Sequence, residues 1–77
     1  MFGYKKVNIK DIKISPKFKE HKPKKKKLKE KRLYYRVYNK FEQPIILNEE
    51  GYLIDGYTTY LLAKEFNEKQ IKVKIQK

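Results

Sequence analysis

One stretch decides the fold: Tyr52-Leu53-Ile54-Asp55-Gly56-Tyr57-Thr58-Thr59-Tyr60-Leu61-Leu62-Ala63-Lys64-Glu65. It opens on an aromatic and two aliphatic residues, which predict a strand. Tyr57, Tyr60, Leu61 and Lys64 then follow at helical spacing, so they are predicted to share one helix face, with the tyrosines and the leucine as its apolar part. Gly56 allows a sharp turn between strand and helix, and Asp55 is the predicted N-cap.

A strand that enters a helix across a glycine is suited to binding an anion. The first N–H groups of a helix have no acceptor within it, and the helix dipole adds partial positive charge there. The predicted phosphate-binding residues are therefore Gly56, Tyr57, Thr58 and Thr59. The alternative is a purely structural corner, in which the glycine serves only the turn.

The segments around this corner read as further strands. Gln43-Pro44 excludes a continuing helix, and Ile45–Asn48 and Tyr52–Ile54 are predicted to pair as a hairpin across a turn at Gly51. Polar and apolar residues alternate at Lys6–Ile9 and again at Ile71–Gln76, which predicts two half-buried strands.

A helix is predicted from Lys24 or Lys25 to about Asn39, preceded by Pro23. Its apolar side is expected to include Leu28, Leu33, Tyr34, Tyr35, Val37 and Tyr38. We expect the tyrosines to be boundary residues of the core; stacking on exposed bases is the alternative. Basic residues at steps of three and four form a stripe along the same helix. The predicted nucleic-acid-binding residues are Lys24, Lys25, Lys26, Lys27, Lys29, Arg32 and Arg36.

The charge of the 77 residues is concentrated before and within this helix. The net charge is +12, and residues 17–40 hold twelve basic and two acidic residues, a net +10. Residues 17–27 are predicted to be a lysine-rich loop, either simply solvated or a docking surface for a polyanion. Lysine outnumbers arginine, which favours sequence-independent attraction to phosphates over bidentate base recognition. An AT-rich genome would produce the same lysine bias.

Several classes of site are excluded by composition. There is no cysteine, which removes disulfides, thiolate metal sites and cysteine nucleophiles. The single histidine, His21, lies in the lysine-rich segment and is expected to be exposed; one histidine without partners makes no zinc site. No cofactor and no metal site are predicted. No apolar run is long enough to span a bilayer and no signal-peptide core is present, so we expect a cytoplasmic protein.

The stretch from Gln43 to Glu65 resembles the ParB N-terminal and sulfiredoxin-like domain family (ParB-like nuclease domain). The resemblance is carried by Gln43-Pro44-Ile45-Ile46 and by Ile54-Asp55-Gly56, and it extends more thinly from about Val7 to Ile75. It implies phosphate binding at the helix that follows the glycine. Where the family carries an arginine in that helix, this chain has Thr58 or Thr59. The catalytic cysteine of sulfiredoxins is absent.

Together, these patterns predict an α+β fold: one domain over residues 1–77, with a small mixed sheet of about four strands, two helices, and a lysine-rich loop and helix start at 17–32. The predicted function is a ParB-like module that binds nucleic acid, DNA rather than RNA, largely through phosphates. We expect no catalytic residues.

The alternatives are a nucleotide- or phosphate-binding domain of a nuclease or phosphotransferase, and a small phage or plasmid regulator that binds a protein partner. Helix-turn-helix and dimerisation parts follow this domain in full-length ParB proteins and are not among these 77 residues, so sequence-specific operator binding is not expected. The chain is compatible with a fragment or a stand-alone adaptor.

Overall fold

The computed structural model describes residues 4–76 of the chain and contains four strands, three α-helices and one 3-10 turn over that range. In chain order the elements are β1 (Tyr4–Asn8), the 3-10 turn (Ile9–Asp11), α1 (Pro16–Glu20), α2 (Lys25–Tyr38), β2 (Ile45–Asn48), β3 (Leu53–Asp55), α3 (Tyr57–Glu65) and β4 (Gln70–Gln76). The predicted α+β class is confirmed.

The strands form one mixed sheet in the order β1-β4-β2-β3. β4 pairs with β1 antiparallel and with β2 parallel, and β2 and β3 form the predicted antiparallel hairpin. Ile45 lies opposite Val73 in the parallel pair, and both side chains have no exposed area. The two strands at the centre of the sheet therefore supply its most deeply buried residues.

The core lies on one face of the sheet, beneath α3 and the 3-10 turn. Alternation along β4 places Ile71 and Val73 inside and Lys72 outside, as a half-buried strand requires. The full set of buried apolar residues is Ile9, Ile12, Ile45, Leu47, Leu53, Leu62, Ala63, Ile71 and Val73. These residues come from both halves of the chain.

The buried face of α3 differs from the predicted one. Thr58, Thr59, Leu62 and Ala63 are buried, whereas Tyr57, Tyr60 and Leu61 are half-buried and Lys64 is exposed. The start of the helix lies so close to Pro44 and Ile45 that a Cβ at Gly56 would meet their backbone atoms. The tyrosine rings lie along the side of the helix, where Tyr57 packs against Phe18 at a centroid distance of 5.5 Å.

A short first helix replaces part of the predicted loop at 17–27. Pro16 is the first residue of α1, and Ser15 before it is extended, as expected of a residue that precedes a proline. Proline suits this position because it lacks the N–H that would find no acceptor there. The structure thus has a third helix of five residues beside the two that the sequence predicted.

Helix α2 begins and ends close to the predicted bounds, but it packs by a different side. None of its residues is buried, and Leu33 and Val37 are 61% and 65% exposed, so the prediction that they face the core was wrong. The helix ends at Asn39, which adopts a left-handed conformation with φ of 56°. Within residues 4–76, no helix combines the length and the apolar character needed to cross a membrane.

Candidate nucleic-acid interface and phosphate cleft

The basic residues predicted to bind nucleic acid lie on α2 and at its N-cap. Six of the seven are exposed to solvent: Lys24, Lys25, Lys26, Lys27, Lys29 and Arg36. The two ion pairs found in residues 4–76 involve none of these six residues. Their positive charges therefore face solvent without an ion-pair partner in the described part of the chain.

The predicted stripe is visible as a shallow groove along α2. The groove has a volume of about 540 Å³ and is lined by Lys25, Leu28, Lys29, Arg32, Leu33 and Arg36. The spacing of three and four residues places these side chains on one side of the helix, as the sequence predicted. Lys24 and Lys26 do not line this groove, and Lys27 lies on another side of the helix.

Arg32, the seventh predicted residue, forms an ion pair with the carboxylate of Glu65. It donates from Nε to Glu65 Oε2 at 2.7 Å and from Nη2 to Glu65 Oε1 at 2.8 Å. This hydrogen bonding lowers the pKa of the Glu65 carboxyl, with a smaller contribution from the charge of Arg36. Arg32 therefore connects α2 to α3, and its charge is largely neutralised.

Aromatic contacts fix the same two helices side by side. The Tyr35 ring lies 4.6 Å from Phe41 and 4.7 Å from Phe66, measured between centroids. Its hydroxyl donates to Glu68 at 3.0 Å, and this hydrogen bond raises the pKa of Tyr35. The prediction of a boundary residue is confirmed for Tyr35, whereas Tyr38 is 58% exposed.

Gly56 is the N-cap of α3 and has a φ of 92°, as expected for a glycine at a sharp turn. A Cβ at this position would lie 2.8 Å from the Pro44 carbonyl oxygen and 2.9 Å from Ile45 Cα. The predicted capping role of Asp55 is wrong, because its Oδ1 accepts from the adjacent N–H of Gly56 at 2.8 Å. Asp55 is the last residue of β3, so its side chain does not reach the second or third N–H of the helix.

The start of α3 opens onto a cleft of about 220 Å³. Its lining brings together Phe18, His21, Pro23, Lys27, Lys31, Gln43, Asp55, Gly56, Tyr57, Thr58 and Thr59. All four predicted phosphate-binding residues are in this set. Three basic side chains, Lys27, Lys31 and His21, face the same cleft from the lysine-rich segment.

The two threonines at the start of α3 have different environments. Thr59 is 8% exposed, and its hydroxyl donates to the Gln43 carbonyl oxygen at 3.0 Å, which anchors the helix to the segment before β2. Thr58 is 9% exposed and lines the cleft. The free N–H groups of the first helical turn lie at this end of α3.

Sequence reasoning missed Lys31 and His21 as cleft residues. His21 is exposed, as expected, and Lys31 forms an ion pair with Glu42. The signal for Lys31 was its position four residues after Lys27, which places both on one side of α2. In residues 4–76, no three His, Asp or Glu side chains are grouped closely enough to hold a metal ion.

Comparison with known proteins gives similarity at the level of structure. No protein-family model and no curated protein matches the sequence. The C2221 form of a pNOB8-like ParB-N domain superposes with a TM-score of 0.79 at 24% identity, covering 97% of this chain and 30% of that one. A second pNOB8-like ParB N-domain structure gives a TM-score of 0.73 at 25% identity, with 97% and 27% covered. Sulfiredoxin from Arabidopsis thaliana gives a TM-score of 0.78 at 19% identity, with 97% and 85% covered.

The chain spans less than a third of the two ParB chains and most of the sulfiredoxin. The shared part includes the sheet, the corner at Gly56 and the helices that surround it, because nearly all of this chain is covered in each comparison. In fold, the protein is a ParB/sulfiredoxin-like domain.

Proposed function

We propose that this domain binds nucleic acid through phosphate contacts that depend little on base sequence. The observation that carries the proposal is the set of exposed cations without an ion-pair partner on α2 and its N-cap: Lys24, Lys25, Lys26, Lys27, Lys29 and Arg36. Arg32 supports the surface by holding α2 against α3. The structural similarity to ParB N-domains agrees with this function.

The chemistry of the surface favours backbone contact over base recognition. Lysine is a compact point charge that pairs with a phosphate in many orientations, whereas bidentate recognition of guanine favours the planar fork of arginine. Arg36 is the one arginine of α2 whose charge faces solvent without a carboxylate partner in residues 4–76. The affinity for nucleic acid therefore comes mainly from the release of counterions from the phosphates. DNA is the first ligand with which to test it. We also propose that the protein is located inside the cell, where nucleic acid is abundant.

The test is a salt titration of binding to DNA duplexes of unrelated sequence. Replacing Lys24, Lys25, Lys26 and Lys27 with glutamine is expected to weaken binding to every duplex alike. The logarithm of the binding constant falls linearly with the logarithm of the salt concentration. The variant should make this fall less steep, by about 0.9 in the slope for each phosphate that it no longer neutralises. RNA of the same length is the comparison ligand.

A matched control carries glutamine at Lys5, Lys6, Lys10 and Lys69, which are exposed on β1, the 3-10 turn and the segment before β4. It removes the same charge from another part of the surface. If both variants bind DNA equally weakly, the attraction is a property of net charge and α2 is not the interface.

A second candidate function is phosphate binding in the cleft at Gly56–Thr59. The observation that favours it is the presence of Lys27 in the lining, because this lysine has no ion-pair partner in residues 4–76 and supplies the charge that backbone N–H groups lack. A helix terminus alone contributes about 0.3–1 kcal/mol, whereas a micromolar complex needs about 8 kcal/mol. We therefore propose that the cleft holds one phosphate of a nucleic-acid backbone and binds free nucleoside triphosphates weakly.

Calorimetry with several nucleoside triphosphates, with and without magnesium, tests the cleft. The expected result is weak binding, reduced further by the change Lys27→Gln together with Lys31→Gln. A micromolar complex that shifts the amide signals of Thr58 and Thr59 would contradict this ranking and would place a nucleotide-dependent function first. Lys5→Gln with Lys6→Gln is the matched control.

A further inference from the structure

Helix α2 carries an apolar strip that the domain does not use. The strip consists of Leu33, Tyr34, Val37 and Tyr38, two pairs spaced four residues apart. Leu33, Val37 and Tyr38 are 61%, 65% and 58% exposed, and the rings of Tyr34 and Tyr38 pack together with centroids 4.5 Å apart. These four side chains form one continuous surface on the C-terminal half of the helix.

The strip is not the side by which α2 joins the domain. That side is marked by Tyr35, which packs on Phe41 and Phe66, and by Arg32, which binds Glu65. Since these interactions hold the helix in place, the exposed leucine and valine contribute little to the fold. An apolar patch that a small domain leaves open commonly marks a binding surface for another molecule.

The two sides of the strip are basic. Helical spacing places Lys29 and Arg36 next to Leu33 and Lys31 next to Tyr34, with Lys27 one turn before Lys31 on the same side. Glu30 is the one acidic residue of α2, and it lies beside the strip at its N-terminal end. Lys31 is paired with Glu42, while the other three cations are exposed without an ion-pair partner in the range 4–76. An apolar strip between two basic rims is complementary to an apolar stripe between acidic rims.

This pattern selects one occupant. A second copy of the chain would bring like-charged rims together on a protein of net charge +12, which opposes self-association through this face. Phosphates of a nucleic acid contact the rims and leave Val37 and Tyr38 in water. A helix with apolar residues every three or four positions and glutamate or aspartate beside them satisfies both parts of the surface.

We propose that the apolar strip on α2 docks an acidic amphipathic helix of a partner protein, with its apolar residues on Leu33, Tyr34, Val37 and Tyr38 and its carboxylates on Lys29, Arg36 and Lys27. The surface overlaps the proposed nucleic-acid interface at its basic rims and at Leu33, and it differs from that interface at Tyr34, Val37 and Tyr38.

The probe is a fluorescent peptide of about five helical turns with leucine at every third and fourth position and glutamate elsewhere. A second peptide of identical composition and scrambled order is the ligand control. The variant is Val37→Ser with Tyr38→Ser in the full chain, because neither residue lines the groove of the proposed nucleic-acid interface. Ile54→Ser with Tyr4→Ser is the matched control, since Tyr4 and Ile54 are 58% and 41% exposed on the sheet. Circular dichroism checks that each variant is folded.

The expected result is at least a tenfold rise of the peptide Kd in the strip variant, because a valine and a tyrosine side chain no longer pack on the peptide, and an unchanged Kd in the control. The amphipathic peptide should bind more tightly than the scrambled one. The proposal would be overturned if both peptides bound equally well, or if wild type and strip variant had the same affinity. Charge alone would then explain the binding of the peptide.

Two further measurements separate this inference from the alternatives. The strip variant is expected to keep its affinity for DNA; a parallel decrease of DNA binding would assign the strip to the nucleic-acid surface and overturn the proposal. Sedimentation at high protein concentration is expected to show a monomer. A dimer that disappears in the strip variant would identify a second copy as the occupant instead.

Discussion

At the scale of single residues, two glycines with nearly the same backbone conformation have different structural roles. Gly51 and Gly56 have φ of 91° and 92°, which L-residues rarely adopt. A Cβ at Gly51 would meet open space, whereas one at Gly56 would meet the backbone of Pro44 and Ile45. The absence of a side chain at Gly56 therefore permits both the turn and the close contact between the start of α3 and β2.

Alanine at each position should separate the two effects. Gly51→Ala is expected to lower the free energy of unfolding by about 1–2 kcal/mol, the cost of the left-handed conformation. Gly56→Ala is expected to lower it by about 1–3 kcal/mol more, because backbone atoms must move. Urea unfolding of both variants measures the difference. Equal decreases would mean that the close approach relaxes without cost.

At the scale of elements, α2 is held by a few side chains rather than by a buried face. The interactions are those of Tyr35 with its aromatic neighbours and of Arg32 with Glu65. Both partners on the far side, Phe66 and Glu65, lie at the end of α3. Because like charges at Lys24–Lys27 weaken the first turn of α2, the docked C-terminal half must stabilise the helix.

The ion pair between Arg32 and Glu65 should make the attachment of α2 pH-dependent. The pKa of Glu65 is lowered in the folded protein from its ordinary value of 4.5. A lowered carboxyl pKa stabilises the fold above the unfolded-state value, and this contribution is lost as the pH falls below 4.5 and through the folded-state pKa. The pair is exposed, so the effect should be small.

A double-mutant cycle with Arg32→Gln and Glu65→Gln measures this coupling directly. Urea unfolding at about pH 6, above the ordinary carboxyl pKa, should show a favourable interaction between the two side chains, and the same cycle below that pKa should show a weaker one. A coupling that is equally large at both pH values would contradict the assignment of the carboxylate as the titrating group.

At the scale of the whole molecule, the net charge of +12 on a small domain opposes its own folding. Repulsion among exposed lysines is screened by salt, since the Debye length falls from about 10 Å at 0.1 M to about 3 Å at 1 M. Salt should therefore have opposite effects on the two properties of this protein: it weakens binding to a polyanion and stabilises the fold.

Thermal unfolding at low and high sodium chloride tests this expectation. Tm should rise with salt, by about 4–8 °C for each kcal/mol of repulsion removed in a domain of this size. The variant with glutamine at Lys24–Lys27 has a net charge of +8 and should show a smaller rise. A Tm that does not depend on salt would show that the cations are too far apart to repel one another measurably.

The amino-acid sequence by itself determined the elements that depend on local pattern. Alternation in β4, the hairpin around Gly51 and the positive φ of Gly56 all follow from residues within a few positions of each other. The same is true of the basic stripe on α2, because helical spacing alone aligns it. The resemblance in Gln43–Glu65 also led to the correct fold.

The tertiary structure alone decided how these elements meet. Arg32 and Glu65 are 33 residues apart, as are Tyr35 and Glu68, and no local pattern pairs them. The same holds for Lys27, Lys31 and His21, which reach the start of α3 only because α1 and α2 fold back across it.

Periodicity indicates that a helix has two sides, but the side that is buried depends on which surface the rest of the chain presents. For α2 that surface is the aromatic edge at Phe41 and Phe66, and its packing against Tyr35 leaves Leu33 and Val37 in solvent.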